Sequence, residues 1–164
     1  MPTKDPNSLD RIDIEILRVL QKQGRMPIVE LAKLVNLTTT PCSDRVKRLE
    51  KEGFIAGYHA ELCPDKLGFE VQVFIHIRLD QSNFSIFDKF AKAAELMPEI
   101  EECYSLSGDF DTMIKVRVKN MREYQKFMSA KLGSLPGIIQ TRSEVVIAEH
   151  KKSTGLDPDL IALP

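Results

Sequence analysis

The segment from residue 70 to residue 80 carries an aliphatic side chain at every second position. A period of two is that of a β-strand, because successive side chains of a strand point to opposite faces of the sheet. The aliphatic set therefore predicts one face packed in a core, and the intervening set predicts a face that no helix covers. The aliphatic set is Val71, Val73, Ile75, Ile77 and Leu79, and the intervening set is Gln72, Phe74, His76, Arg78 and Asp80.

Beyond this strand the chain repeats a β-α-β pattern. Strand patterns cover residues 100–106, 112–118 and 139–148, and Pro98 and Pro136-Gly137 end the two helical patterns between them. Asn120 and Glu123 resemble a capping box at the start of the second helix. The order β-α-β-β-α-β predicts a ferredoxin-like sandwich with both helices on one sheet face. The apolar helix residues are Phe87, Phe90, Ala91 and Ala94, then Tyr124, Phe127, Met128 and Leu132.

The uncovered sheet face would display aromatic side chains. Phe74 lies in the intervening set of the first strand, and Tyr104 falls on the same face of the second strand. An exposed sheet face with aromatic residues is typical of an interaction surface, so we expect self-association. A mostly polar face that tolerates single aromatics is the plainer alternative.

The first third of the chain reads as three short helices. Ser8 is the predicted N-cap of the first, with Asp10 in its first turn, and Gly24 is its stop. The second begins at Pro27, and Asn36 ends it in a left-handed conformation. The third opens within residues 38–41, with Thr38 or Thr40 as its cap, and ends at Gly53; a small β-hairpin is predicted at residues 54–60.

The third helix has an apolar face and a face of hydroxyl and basic side chains. Cys42, Val46 and Leu49 recur at helical spacing and face inward. Two short helices, a tight turn and such a third helix predict a winged helix-turn-helix that places the third helix in the major groove of DNA. Asp44 lies four residues before Arg48 and could hold its guanidinium. The predicted DNA contacts are Thr38, Thr39, Thr40, Ser43, Arg45, Lys47 and Arg48, with His59 on the wing.

Charge and composition exclude several other classes of function. The net charge is −1, whereas residues 1–60 contain 10 basic and 8 acidic residues for a net of +2, so nucleic-acid contact must come from this local patch. Three widely spaced cysteines and three histidines form no ligand spacing, so we predict no metal and no cofactor. Neither a signal peptide nor a membrane span is recognisable, which predicts a cytoplasmic protein. Without a nucleophile motif or a P-loop, we also predict that the protein is not an enzyme.

These motifs together resemble the Lrp/AsnC family, the leucine-responsive and asparagine-operon transcription factors of bacteria and archaea. The resemblance extends from about residue 8 to residue 150. It implies an N-terminal winged helix-turn-helix, a ligand-sensing domain of the type called RAM, an amino-acid effector, and dimers that assemble into octamers or similar rings. The matching motifs are Leu9-Asp10, Asp13, Ile16-Leu17, Gly24-Arg25, Glu30-Leu31-Ala32, Pro41-Cys42, Arg45-Val46, Leu49-Glu50, Gly53-Phe54-Ile55, Ser107-Gly108-Asp109-Phe110-Asp111 and Leu135-Pro136-Gly137.

The resemblance also implies an effector site at the turn of residues 107–111, completed by residues 137–141 of a neighbouring subunit. Gly-Asp is ordinary turn chemistry, and without the family the turn would read as a plain hairpin. A free amino acid requires an anion for its ammonium group, which Asp109 or Asp111 could supply, and backbone amides for its carboxylate. The predicted effector residues are Ser107, Gly108, Asp109, Asp111, Gly137, Ile138, Gln140, Thr141 and Glu144.

Two positions depart from the family pattern. Thr38-Thr39 replaces a frequent Ser-Pro before the recognition helix, which predicts a different operator preference. Glu144 precedes Val145-Val146 where the leucine-responsive members have a tyrosine, and its charge would favour a polar or cationic effector over leucine. An architectural DNA-binding protein that ignores effectors is the alternative function.

The predicted organisation has five parts. The two predicted domains are connected by a linker that contains the breakers Pro64 and Gly68. The last residues show no period and are predicted to be loose. The parts are an N-terminal tail at 1–8, the DNA-binding domain at 9–61, the linker at 62–68, the sensing and oligomerisation domain at 69–150, and a C-terminal tail at 151–164.

Overall fold

The computed structural model describes residues 9–80, 85–152 and 155–157. These residues form two compact units. The first contains residues 9–61 together with the described residues after 150, and the second contains residues 62–150. The N-terminal tail at 1–8, including the predicted cap Ser8, lies outside the described residues.

The first unit contains the three predicted helices, which are α1 (Arg11–Lys22), α2 (Ile28–Leu34) and α3 (Thr39–Lys51). Asp10, rather than Ser8, is the N-cap of α1: its carboxylate accepts the Asp13 N–H at 2.9 Å, and the Asp13 carboxylate accepts the Asp10 N–H at 3.0 Å. Asn36 has φ of 53°, as predicted for the end of α2, and Thr38 is the residue before α3. The core of this unit consists of Ile16, Leu20, Leu31, Ala32, Val35, Cys42 and Leu49.

The hairpin predicted at residues 54–60 does not form, since none of these residues is in a strand. The segment is attached to α3 instead. The Ile55 N–H donates to the Leu49 carbonyl at 3.1 Å, and the Tyr58 hydroxyl donates to the Glu50 carboxylate at 2.9 Å. An isolated two-stranded hairpin is only marginally stable in water, so these contacts with α3 determine the conformation of the wing segment.

The second unit has the predicted ferredoxin-like order of elements: β1 (Val71–Leu79), α4 (Ser85–Glu95), β2 (Ile100–Ser105), β3 (Thr112–Val118), α5 (Met121–Lys126) and β4 (Ile138–Val145). Its four antiparallel strands lie in the order β2-β3-β1-β4, so the first strand in sequence pairs with both the third and the fourth. The fifth helix continues as a π-helical turn at Phe127–Lys131 and a 3-10 turn at Leu132–Ser134.

The helices cover one face of this sheet, as the alternation in β1 predicts. Ala91 is exposed although it was assigned to the apolar face of α4. The last strand ends at Val145, three residues before the predicted end. Val145 pairs with Val73, and the Val146 N–H donates to the Gln72 carbonyl at 2.9 Å. The buried residues of this core are Val73, Ile75, Ile77, Leu79, Phe90, Ala94, Ile114, Val116, Val118, Phe127, Leu132 and Leu135.

The described part of the C-terminal tail contacts the first unit. Lys152 Nζ lies 2.7 Å from a Glu61 carboxylate oxygen, and Gln21 Nε2 donates to the Leu156 carbonyl at 2.5 Å. The tail was predicted to be loose, and these two contacts involve its described residues only. The periodicity of the sequence cannot predict such a segment, because its described residues form no helix or strand. They contact the unit only through single side chains.

Gly137 provides a stability test, because both its backbone and its surroundings require glycine. Its φ is +75°, and a Cβ added there would overlap the Ile86 side chain. We expect Gly137→Ala to reduce the free energy of unfolding by roughly 2–4 kcal/mol, from the left-handed conformation and the overlap together. Gly133→Ala is the matched control, since a Cβ there meets nothing within 4 Å. Urea unfolding of both variants measures the difference, and equal midpoints would contradict the expectation.

Candidate functional site

The exposed surface of α3 carries hydroxyl and charged side chains. Thr39, Thr40, Asp44 and Lys47 are exposed, and Ser43 is half-buried beside them. Opposite this surface, Cys42 and Leu49 are fully buried, and burial raises the pKa of the Cys42 thiol. Of the predicted DNA contacts, the structure therefore presents Thr39, Thr40 and Lys47 outward from the helix itself.

The N-terminus of α3 is open to an anion. Thr38 precedes the helix in an extended conformation and is exposed, and its side chain makes no capping hydrogen bond. No acidic residue lies in the first turn. Backbone N–H groups at such a terminus, together with the helix dipole, favour a phosphate.

Arg45 and Arg48 turn toward α1, where they form an ion cluster with Asp10 and Asp13 that we call the Asp13 cluster. Arg45 Nη1 donates to Asp13 Oδ1 and to Asp10 Oδ2, both at 2.8 Å. Arg48 Nη2 donates to Asp13 Oδ2 at 2.6 Å. The hydrogen bond from Arg45 to Asp10 and that from Arg48 to Asp13 raise the pKa of each guanidinium. Both arginines were predicted to face DNA directly, but each donates two of its five N–H groups to carboxylates within the unit.

The predicted partner of Arg48 was wrong. Asp44 was expected to hold its guanidinium at i, i+4 spacing, but Asp13 and Glu52 do so, with Arg48 Nη1 lying 3.2 Å from Glu52. Glu52 has the same spacing on the other side of Arg48. Asp13 is 1% exposed, and a buried carboxylate attracts a guanidinium more strongly than an exposed one does.

The wing segment places His59 in solvent. His59 is exposed, and the residue before it, Tyr58, is attached to α3 through Glu50. Burial and the hydrogen bond to Glu50 raise the pKa of the Tyr58 hydroxyl to about 12. This anchor fixes the start of the segment that carries His59.

The predicted effector turn in the second unit is held against β1. The Asp111 N–H donates to the Ile77 carbonyl at 3.0 Å, and Asp111 Oδ2 accepts the Leu79 N–H at 2.8 Å. Arg78 donates twice to the Asp109 carbonyl, at 3.0 Å and 2.7 Å. Asp111 is therefore a structural residue of the turn, whereas Ser107, Gly108 and Asp109 are exposed. Gly108 has φ of +149°, so the turn requires glycine for its backbone even though a Cβ there would point into open space.

Two arginines contact the ring of Phe110 on the uncovered face of the sheet. The guanidinium carbons of Arg78 and Arg142 lie 5.6 Å and 5.1 Å from the ring centroid. His76 is 5.7 Å away, centroid to centroid, and Glu144 lies 3.6 Å from His76 and 3.2 Å from Arg142. We call these five residues the Phe110 cluster. It joins the turn to β1 and β4 within one chain.

The predicted effector residues of β4 divide between the two faces of the sheet. Gln140 and Glu144 pair with Arg78 and Phe74 and lie on the uncovered face. Ile138 packs against the core, Thr141 pairs with Ile77, and the Gly137 carbonyl accepts the Asp80 N–H at 2.8 Å. The structure therefore brings Glu144 to the Phe110 cluster and gives Ile138 and Gly137 structural roles.

Sequence reasoning missed four of the five members of the Phe110 cluster as site residues, namely His76, Arg78, Phe110 and Arg142. A signal for Arg142 was present, because it lies midway between Gln140 and Glu144 and therefore shares their face of the strand. Arg78 was assigned to the uncovered face without a role. Phe110 is part of the turn motif, but only the polar residues of that motif were selected.

The described residues contain neither a metal site nor a membrane span. No group of three or more histidine, cysteine or acidic side chains could hold a metal ion in this part of the chain. Over the same residues, no helix is long and apolar enough to cross a bilayer.

The fold joins a helix-turn-helix unit to a ferredoxin-like unit, and comparisons with known proteins identify the class of each. Residues 9–56 match a winged helix-turn-helix DNA-binding domain, and residues 72–156 match the Lrp/AsnC ligand binding domain. The chain belongs to the Lrp/AsnC family of transcriptional regulators.

Its relatives are similar over nearly the whole length. The leucine-responsive regulatory protein of Escherichia coli K12 is 46% identical over 94% of this chain and 93% of its own. A transcriptional regulator of Neisseria meningitidis, solved in complex with L-Met, is 33% identical with a TM-score of 0.87, over 91% of this chain and 96% of its own. An AsnC family regulator of Agrobacterium tumefaciens is 32% identical with a TM-score of 0.89, over 94% of this chain and 100% of its own.

The Tyr58 anchor predicts a pH dependence. Because the pKa of Tyr58 is raised to about 12, its contribution to stability is complete below about pH 10 and is lost as the pH rises through about 12. In an alkaline titration followed by ultraviolet absorbance, we expect the step due to Tyr58 to lie near pH 12 and to be absent from Tyr58→Phe. Glu50→Gln should move this step to lower pH, because burial and the Glu50 carboxylate together raise the pKa of Tyr58 and this variant removes the carboxylate. A step near pH 10 in protein that circular dichroism shows to be folded would contradict this.

Proposed function

We propose that this protein is a sequence-specific DNA-binding transcriptional regulator whose assembly or DNA affinity responds to an amino-acid effector. It acts by binding rather than by catalysis, in the cytoplasm. The observation that carries the proposal is the pairing of an open, hydroxyl-rich α3 N-terminus in one unit with an exposed glycine-acid turn in the other.

The DNA contacts divide into two roles. Thr38, Thr39 and Thr40 at the open helix terminus, with Ser43 and Lys47 further along, would bind phosphates or base edges in the major groove. Arg45 and Arg48 would contact DNA with the nitrogens that the Asp13 cluster leaves available, and His59 would contact the backbone beside the groove. Arg45 engages Asp10 and Asp13 through Nη1 alone, which leaves Nε and Nη2.

The effector would bind at the turn of residues 107–111. Of the two acids considered, Asp109 is the better partner for the ammonium group, because the Asp111 carboxylate accepts a backbone N–H of β1. Asp109 is exposed, and among the described residues no hydrogen bond or ion pair engages its carboxylate. Backbone amides near Gly108 and the guanidinium of Arg142 would bind the effector carboxylate, and residues 137–141 of a neighbouring subunit would complete the site. The Neisseria relative is described with L-Met, which supports an amino acid as the ligand class.

Dimers would form through the uncovered sheet face and assemble further into octamers or similar rings. Tyr104 is 47% exposed on this face, and Phe74 is half-buried. The charges beside them are already paired, since Lys115 lies 2.9 Å from Glu102 and 3.3 Å from Glu101, and its hydrogen bond holds the pKa of Glu102 below the usual value. A face whose charges are paired within the chain loses fewer interactions with water when a second copy covers it.

Lys47 tests the DNA interface. We expect Lys47→Ala to weaken binding to all duplexes about equally and to lower the slope of log affinity against log salt by about one, because one phosphate contact is lost. Lys22→Ala is the control, since Lys22 is an exposed lysine at the end of α1. Band-shift titrations at two salt concentrations measure both slopes. An unchanged slope in Lys47→Ala would remove Lys47 from the interface.

Asp109 tests the effector site. We expect one or more of the twenty amino acids to raise the Tm or to change the sedimentation of the full chain, and Asp109→Asn to weaken that response at least about tenfold, as loss of a charged partner does. Asp88→Asn, an exposed acid on α4, should respond as the wild type does. A protein that binds DNA selectively but responds to no amino acid would be the effector-independent architectural protein instead.

A further inference from the structure

We propose that Asp13 is a positioning residue that fixes the orientation of α3 for reading DNA sequence, an inference that rests on the proposed DNA-binding function. Asp13 belongs to α1 and is 1% exposed, so it cannot touch DNA itself. Both of its carboxylate oxygens nevertheless accept hydrogen bonds from arginines of α3. It therefore acts on DNA binding through the orientation of α3, which carries both arginines.

The geometry of the two bonds constrains α3 in both rotation and translation. Arg45 and Arg48 are three residues apart, so they leave the same side of the helix about one turn apart. Asp13 Oδ1 holds the first at 2.8 Å and Oδ2 holds the second at 2.6 Å. A rotation of α3 about its axis, or a shift along it, lengthens at least one of these bonds.

Burial makes such a movement costly. A buried carboxylate that loses one of its cationic partners is left with a charge that water cannot reach, and this penalty exceeds that of an exposed pair. Thr40 and Lys47 are carried by the same helix, so the bonds to Asp13 also set where these exposed side chains point. The hydrogen bonds and ion pairs of Asp13 involve Asp10, Arg45 and Arg48, so Thr40 and Lys47 depend on Asp13 through the helix that carries them.

Positioning and simple electrostatics predict opposite results when Asp13 is neutralised. Asp13→Asn raises the charge of the DNA-binding unit by one and replaces one of the two accepting oxygens with an NH2 group, so at least one of the two arginines loses its bond to this side chain. If charge alone governed binding, affinity for every duplex would increase. If Asp13 positions α3, discrimination between duplexes falls even though the attraction to phosphate increases.

The experiment uses the full chain and two DNA probes. One is a duplex that the wild type selects from a random-sequence pool, and the other is the unselected pool. The quantity measured is the dissociation constant for the unselected pool divided by that for the selected duplex. Both are measured at a temperature where circular dichroism shows each variant to be folded. Glu15→Gln is the matched control, because it removes the same charge from the same helix at a side chain that is 52% exposed.

We expect Asp13→Asn to lower the ratio at least about tenfold, with binding to the unselected pool unchanged or tighter, and Glu15→Gln to keep the ratio of the wild type. A folded Asp13→Asn protein that keeps its ratio within about twofold would overturn the inference and leave the proposed function standing. A wild type that selects no duplex at all would overturn both.

A second variant covers the case in which Asp13→Asn does not fold. Asp10→Ser removes the other carboxylate that holds Arg45 but keeps a side chain able to cap α1. Asp10 is 26% exposed, so the loss of its charge is tolerated better than that of Asp13. We expect a smaller fall in the ratio, between twofold and tenfold in order of magnitude, with unchanged helix content. A ratio equal to that of the wild type would count against positioning by the Asp13 cluster.

Discussion

The different chemistry of the two faces of β1 determines how the core, the turn and the Phe110 cluster of the second unit are arranged. This strand lies between β3 and β4, so its backbone is paired on both edges, and Val73, Ile75 and Ile77 are fully buried on its covered face. On the other face, His76 and Arg78 contact Phe110 of the turn. The backbone of β1 also binds Asp111 through Ile77 and Leu79. The core, the turn and the Phe110 cluster therefore all depend on the pairing register of β1. A shift of that register by one residue would exchange the buried and uncovered faces of the strand.

Much of this architecture could be predicted because its signals are local in sequence. The period of two in residues 71–79 identifies the strand and its buried face, and Asn36 and Asn120 mark a helix end and a helix start. The inward side of α3 followed from Cys42 and Leu49 at helical spacing. Local patterns of this kind also predicted the order of elements, from which the ferredoxin-like fold follows.

The sites were predicted less well, because they depend on pairs that are distant in sequence. Arg45 and Arg48 read as solvent-facing on a helical wheel, and only the packing of α1 on α3 brings Asp13 to them. Arg142 reaches Phe110 because β4 pairs with β1, which periodicity within β4 cannot reveal. The hairpin at 54–60 failed for the reverse reason: its local pattern was suitable, but Tyr58 found a partner in Glu50 of α3. Tertiary contacts decided each of these cases.

The Asp13 cluster has an evolutionary consequence. A substitution at Asp13, Arg45 or Arg48 alone breaks at least one ion pair of a carboxylate that is 1% exposed, so these three positions should change together or not at all during divergence. Thr40, Asp44 and Lys47 are exposed on the same helix, so each of them can be substituted without a matching change elsewhere. New operator preferences can therefore arise by single substitutions on the exposed surface of α3. The bonds to Asp13 on its inner surface keep the helix in the orientation in which each new side chain can contact DNA.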